Sequence, residues 1–192
     1  KQFASGLMWF RRDLRVDDNA ALHLALTSCR QVYCAFVFDR EILDPLPRAD
    51  RRVEFIRESL VDLDAELRLA SGKPGAGLLV RHGIASVEIV ALATELGVQA
   101  VFVSRDYEPQ AVARDSKVLG ALANAGIALH NAKDQVVLEG RELLTKTGAP
   151  YSVFTPYKNA WLARAHAAPW QSHDSAPYFG ALAERREYYR VA

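Results

Sequence analysis

Short apolar runs alternate with longer segments of helical periodicity along the first two thirds of the chain. The runs are rich in β-branched and aromatic residues, which is typical of strands buried on both faces of a parallel sheet. Parallel strands need crossover connections, and the intervening segments are long enough to supply helices. The predicted strands are Leu7–Phe10, Val32–Phe38, Leu78–Arg81, Ala100–Ser104 and Ile127–His130.

This alternation predicts a doubly wound α/β fold, because crossovers between parallel strands are almost always right-handed. We expect a Rossmann-like, five-stranded parallel sheet in the order 3-2-1-4-5, with helices on both faces. The clearest helix joins the second and third strands, where apolar residues recur at steps of three and four before Gly72. These residues are Val53, Ile56, Leu60, Leu63 and Leu67.

Capping residues predict where other helices begin and end. The first helix spans about 19–28, and Asp17 or Asp18 is expected to accept hydrogen bonds from its first free amides. Ser86 is expected to cap a later helix, which stops at Gly97.

The pattern changes after the fifth strand. Residues 1–132 are therefore predicted to form the α/β domain, and residues 133–192 a connector to a further domain that this chain lacks. Within the connector, Val136–Leu138 predicts a short strand and a helix is expected near 157–168.

The charge balance excludes a global argument for nucleic-acid binding, since 24 basic and 23 acidic side chains give a formal net charge of +1. No apolar run approaches the length of a membrane span, and the N-terminus lacks a signal-peptide pattern, so a cytoplasmic protein is expected. Cys29 and Cys34 are predicted to stay reduced thiols.

Several motifs with defined chemistry are absent from the sequence. Arg11-Arg12-Asp13 stands where glycines of a dinucleotide-binding loop would follow the first strand, and no Walker lysine follows any strand. The five histidines have no metal-ligand spacing, and there is no nucleophilic serine elbow. The sequence therefore predicts neither a metal site nor a catalytic residue in this chain.

Charged loops follow the strands that flank the predicted switch point, between the first and fourth strands. These loops are 11–13 and 105–110, while the second strand leaves through Phe38-Asp39 and the next helix begins near Arg51-Arg52. Both charge signs, an aromatic wall and a helix N-terminus suit a flat, polar-edged ring with an anionic tail. Alternatively, the charged groups pair with one another or dock a second domain.

Two blocks of sequence carry a family resemblance. Residues 9–19 read Trp-Phe-Arg-Arg-Asp-Leu-Arg-Val-Asp-Asp-Asn, and residues 153–161 read Val-Phe-Thr-Pro-Tyr-Lys-Asn-Ala-Trp. In this order and spacing they resemble the DNA photolyase and cryptochrome family, over about residues 5–165. The expectation is the N-terminal α/β domain of a bacterial photolyase.

The resemblance implies that this domain holds an auxiliary light-harvesting chromophore, and that a larger helical domain with FAD follows it. Excited reduced FAD donates an electron to a cyclobutane pyrimidine dimer in UV-damaged DNA and takes it back after the ring splits. The parent protein is thus expected to be a deoxyribodipyrimidine photo-lyase. A chain of 192 residues cannot contain the FAD domain and is expected to be inactive alone.

Family members use a folate, 8-hydroxy-5-deazaflavin or FMN as the antenna chromophore. The run Asp106-Tyr107-Glu108-Pro109 resembles the deazaflavin-binding members, whereas Ala111 lacks the carboxylate of the folate-binding ones. A deazaflavin or FMN is therefore expected in preference to methenyltetrahydrofolate. The expected chromophore-binding residues are Phe38, Asp39, Arg52, Asp106, Tyr107, Glu108 and Gln110.

The block at 153–161 resembles the family's exit from the first domain, so we expect it to dock the C-terminal FAD domain. Its aromatic side chains would be partly exposed in this chain, which favours dimerisation of the isolated domain. The expected docking residues are Arg11, Arg12, Asp13, Phe154, Tyr157 and Trp161.

Two alternatives stay open. A cryptochrome photoreceptor has almost the same first domain, and the residues that distinguish it lie in the helical domain. The other alternative is a stand-alone nucleotide- or flavin-binding module of the doubly wound class, against which the missing phosphate loop counts.

Overall fold

A computed structural model describes residues 1–167 and 171–185. Its centre is one five-stranded parallel sheet in the order β3-β2-β1-β4-β5, which confirms the predicted topology. The first two strands extend further toward the N-terminus than predicted, because they pair with each other from Phe3 and Cys29 onward. The strands are β1 Phe3–Phe10, β2 Cys29–Asp39, β3 Leu78–Gly83, β4 Ala100–Ser104 and β5 Ala128–Ala132.

Helices cover both faces of the sheet, and alternate side chains of β1 divide the core accordingly. Met8 and Phe10 pack on the face that carries α1 and α3, whereas Leu7 and Trp9 pack on the face that carries α4 and α5. The helices are α1 Ala20–Ser28, α2 Arg40–Leu43, α3 Arg51–Ser71, α4 Ala85–Glu95, α5 Pro109–Asn124 and α6 Phe154–Ala167.

Three local predictions were wrong. The cap of α1 is Asn19, whose side-chain oxygen accepts from Leu22 N at 2.9 Å, and neither Asp17 nor Asp18 takes this role. The helix α4 begins at Ala85, before Ser86, because Asp39 accepts from the Ala85 amide across the sheet edge at 3.2 Å. Residues 136–138 form no strand and lie in an irregular segment.

The predicted helix near 157–168 is present but begins earlier, as α6, and its predicted last residue lies outside the described residues. Within the described residues 1–167 and 171–185, no helix has the length and apolarity needed to cross a membrane. Cys29 and Cys34 are buried free thiols, as predicted. Burial raises the pKa of Cys29 to about 11 and that of Cys34 further, since the thiolate would lose its hydration.

Residues 171–185 return to the α1 and α3 face of the domain. A 3-10 helix, Ala176–Ala181, places Phe179 and the following Leu182 in the hydrophobic core beside β2. The backbone of Ala183 donates to Val32 O at 2.8 Å, so this segment follows the start of β2. The prediction that 133–192 connects to a further domain stays a prediction.

Asp64 on α3 ties this returning segment to the sheet. Its carboxylate is 6% exposed and accepts from Leu78 N at 2.7 Å and from Arg185 Nη1 at 2.8 Å. Arg68, one turn along the helix, also donates to it. One buried anion therefore holds a helix, the start of β3 and the C-terminal part of the described chain together.

Asp64→Ala is expected to lower the free energy of unfolding by about 3 kcal/mol, because it removes the buried carboxylate that accepts from the Leu78 amide and from the Arg185 guanidinium. Urea unfolding followed by circular dichroism measures the change. Asp62→Ala, which removes an exposed carboxylate from the same helix, is the matched control and should change the free energy by less than about 0.5 kcal/mol. Equal effects of the two variants would contradict the role given to Asp64.

Candidate functional site

The loops that leave β1 and β4 meet at the carboxyl edge of the sheet, as the sequence analysis expected. Arg12 Nη1 lies 2.8 Å from Glu108 Oε1 and 3.5 Å from Asp106 Oδ1. The hydrogen bond to Glu108 raises the pKa of Arg12, because the carboxylate favours the charged guanidinium. The two loops therefore share one rim at the switch point of the sheet.

Asp13 is 5% exposed and fixes the loop that follows β1 from its buried side. Its carboxylate accepts from Ser104 Oγ at 2.6 Å, from Arg11 N at 3.1 Å and from Asn19 Nδ2 at 3.3 Å. Because Asn19 also caps α1, the same network fixes the end of β1, the end of β4 and the start of a helix.

Arg11 turns inward and its side chain is 8% exposed. It forms a two-pronged ion pair with Asp115 on α5, at 2.7 and 2.9 Å, and donates to the Ser104 carbonyl. Burial lowers the pKa of Arg11, since desolvation disfavours the cation, and the Asp115 carboxylate opposes this shift. Arg114 reaches the same carboxylate at 2.9 Å.

The two guanidinium groups flank one buried aromatic ring. The guanidinium carbon of Arg11 lies 4.9 Å from the centre of the Trp9 ring, and that of Arg114 lies 5.1 Å from it. Both distances are in the range of a cation–π interaction. We call Trp9, Arg11, Arg114 and Asp115 the tryptophan clamp.

A cavity of about 680 Å³ opens above this layer, between α2 and α3 on one side and α5 on the other. One wall is apolar, with Phe36 and Phe38 in edge contact at 5.2 Å between ring centres. The buried carboxylates Asp39 and Asp106 and the exposed cation Lys117 add polar groups. The lining residues are Arg11, Arg12, Phe36, Phe38, Asp39, Glu41, Ile42, Leu43, Ile56, Asp106, Glu108, Gln110, Ala111, Ala113, Arg114 and Lys117.

Most of the residues expected to bind a chromophore lie together at this cavity, but two do not. Arg52 turns back to the helix cap, where its Nε donates to Asp50 at 2.9 Å and lowers the pKa of that carboxyl to about 2. Tyr107 faces away from the cavity and donates to Glu139. Burial, together with this bond, raises the pKa of Tyr107. The expected residues that line the cavity are Phe38, Asp39, Asp106, Glu108 and Gln110.

The residues expected to dock a second domain divide into two groups. Arg11 and Asp13 are held inside the domain by the bonds described above, so neither is presented to a partner. Arg12 has a side chain that is 55% exposed. On α6, Phe154 is 72% and Tyr157 40% exposed, and Trp161 is half-buried.

The cavity also contains residues that the sequence analysis did not select. Ala113 and Lys117 on α5 stand four positions apart, so they lie on the same side of the helix. Gln110, at the start of the same helix, continues this spacing. The sequence pattern could therefore have predicted that Ala113 and Lys117 share the cavity with Gln110. No sequence pattern could have assigned Ile42 and Ile56 to the cavity, because a half-exposed apolar residue has the same sequence pattern in a cavity wall as on an open surface.

The fold and the cavity define a doubly wound α/β domain with a ligand-sized opening at its switch point. The family model for DNA photolyase matches residues 6–176. The chain therefore belongs to the DNA photolyase family.

Individual relatives agree with this membership. The chain is 34% identical over 163 residues to a deoxyribodipyrimidine photo-lyase of Synechococcus, covering 85% of this chain and 33% of that protein. It is 35% identical over 163 residues to the corresponding protein of Escherichia coli, covering 82% and 33%. The chain thus spans about a third of the length of these curated relatives.

Solved structures share the fold. An archaeal photolyase from Sulfolobus tokodaii with two FAD molecules matches with a TM-score of 0.71 and 26% identity, over 92% of this chain and 41% of that one. A bacterial class III photolyase from Agrobacterium tumefaciens matches with a TM-score of 0.69 and 26% identity, over 86% and 32%. The chain corresponds to the N-terminal α/β domain of these proteins.

Asp13→Ala is expected to lower the free energy of unfolding by about 2 kcal/mol, because it leaves the Ser104 hydroxyl and the Arg11 amide without their acceptor. Chemical denaturation measures the loss. Asp17→Ala removes an exposed carboxylate from the same loop and serves as the control. A loss in Asp13→Ala no larger than in this control would show that the buried network contributes nothing to stability.

Proposed function

We propose that this chain is the light-harvesting domain of a DNA photolyase. In the full protein, a C-terminal helical domain would bind FAD, and the excited reduced flavin would split cyclobutane pyrimidine dimers in UV-damaged DNA by electron transfer. The chain belongs to the photolyase family and covers only about a third of its relatives' length. Both facts support a chromophore in this chain and FAD in a further domain.

The observation that carries the proposal is the cavity at the switch point. Its volume of about 680 Å³ is in the range of small-molecule sites, and it combines an aromatic and aliphatic wall with a few polar groups. Phe38 and the first turns of α5 both line the cavity, and a planar ring would lie between them. Arg12 and Lys117, both exposed at the opening, suit an anionic tail.

We propose a flavin-type chromophore, either FMN or 8-hydroxy-5-deazaflavin, for this cavity. Ala111 stands where the folate-binding members carry a glutamate and offers no carboxylate, which disfavours methenyltetrahydrofolate. The archaeal photolyase structure holds two FAD molecules, from which a novel light-harvesting cofactor was implied, and this supports a flavin ring in a domain of this fold.

The chromophore, when bound, supplies absorption of near-ultraviolet or blue light and transfer of the excitation energy. The protein then needs to hold a ring rigidly and to exclude water, and it needs no acid or base. Asp106 is suited to positioning, because its carboxylate already accepts from Tyr107 N at 2.8 Å and from Glu108 N at 3.3 Å. Phe38 and Ile56, which line the cavity, would exclude water from the ring face.

Blocking the cavity tests the proposal. FMN and 8-hydroxy-5-deazaflavin are titrated into the protein and binding is followed by fluorescence. Ala113→Trp places a large side chain in the cavity and should weaken binding by about tenfold or more. Ala123→Trp makes the same change at an exposed position outside the cavity lining and should bind normally. Folded protein that binds neither compound would contradict the proposal.

The isolated chain is expected to leave pyrimidine dimers intact under blue light, because the proposed FAD domain is not within its 192 residues. Irradiation of a dimer-containing oligonucleotide with purified chain, with and without added FAD, measures repair. Light-dependent reversal of the dimers by this chain alone would contradict the expectation.

We also propose that the α6 face docks the FAD domain. Phe154 and Tyr157 are exposed there, and Tyr151 contacts Tyr157 with 6.1 Å between ring centres. An aromatic patch of this kind is typical of an interface. Dimerisation of the isolated chain through the same patch stays a prediction.

A further inference from the structure

We propose that the tryptophan clamp prevents Trp9 from quenching the excited chromophore. This inference rests on the proposed function, since it concerns a flavin ring in the cavity at the switch point. It assigns a photophysical role to Arg11 and Arg114 that is separate from binding.

Trp9 is close to the cavity without lining it. The indole is 2% exposed, and the two guanidinium groups that contact it both belong to the cavity lining. One layer of side chains therefore separates the indole from the cavity. Electron transfer across such a short separation is fast enough to compete with emission and with energy transfer.

The competing reaction is a one-electron exchange. Trp9 would donate one electron to a photoexcited isoalloxazine ring in the cavity, so the indole would become a radical cation while the ring gained the electron. Return of the electron restores both partners and releases the light energy as heat. An antenna whose neighbour reacts in this way loses excitation before passing it on.

The clamp opposes this reaction electrostatically. A cation above an aromatic ring is attracted by the neutral ring but repelled once the ring carries a positive charge. Both groups that contact the ring are guanidinium groups, and with the single carboxylate of Asp115 the clamp carries a formal charge of +1. Solvent screens these charges only weakly, because the side chains are 8% exposed for Arg11, 12% for Arg114 and 18% for Asp115. Oxidation of Trp9 is therefore disfavoured.

A tethered flavin tests this proposal without relying on affinity. Ala113→Cys introduces an exposed thiol at the cavity, to which a maleimide derivative of flavin is attached. The native Cys29 and Cys34 are buried, and they stay unlabelled. The fluorescence lifetime of the tethered flavin is then measured, together with the transient absorption of an indole radical.

In the tethered protein, Trp9→Phe should leave the flavin lifetime unchanged, because the clamp already suppresses quenching. Arg114→Gln should shorten the lifetime by about twofold or more and produce an indole radical signal. Adding Trp9→Phe to Arg114→Gln should restore the lifetime, and Arg114→Lys, which keeps the charge, should shorten it less. Circular dichroism confirms that each variant is folded.

Lys117→Gln is the matched control, since it removes one positive charge from the same helix and the same cavity, whereas the cation–π contacts to Trp9 found among the described residues come from Arg11 and Arg114. An equal shortening in Lys117→Gln and Arg114→Gln would overturn the proposal. A longer lifetime after Trp9→Phe alone would overturn it as well. Failure of untethered FMN and deazaflavin to bind would contradict only the proposed function, because the tether holds the flavin in either case.

Discussion

The hydrogen bond between the Asp13 carboxylate and the Ser104 hydroxyl, 2.6 Å long and buried, holds the ends of β1 and β4 together. The loops that form the rim of the site start from this junction. It directs Arg11 inward to Asp115 and leaves Arg12 free to reach Glu108 at the rim. The charged loop thus serves two purposes, because buried Asp13 joins the two strand ends while Arg11 and Arg12 line the cavity.

The order of strands and the position of the cavity were predictable from the sequence, because both follow from periodicity and from the geometry of parallel sheets. The run Ala100–Ser104 is short and rich in valine, which favours a strand buried on both faces, and every residue of it is buried. The loops leaving β1 and β4 had to meet once that order was given. Phe38, Asp39 and Asp106 could therefore be assigned to one edge before any coordinates were known.

Side-chain direction was not predictable in the same way. Arg52 and Asp50 are two residues apart, and their local ion pair outcompetes a turn toward the cavity. Asn19 caps α1 in place of Asp17 or Asp18 because Asp13 fixes its amide from a distance of six residues. The direction of each side chain depends on competition between nearby hydrogen-bonding partners of similar chemistry. The sequence alone does not show which of these partners binds more strongly.

The return of residues 171–185 onto the sheet bears on how the protein can be divided. Phe179 and Leu182 cover the face formed by α1 and α3, and Lys73 donates to the carbonyl of Leu182 at 2.8 Å. A fragment ending at Ala132 would uncover part of that apolar face and would be prone to aggregate. The smallest unit suited to recombinant expression therefore extends well past the last strand of the sheet.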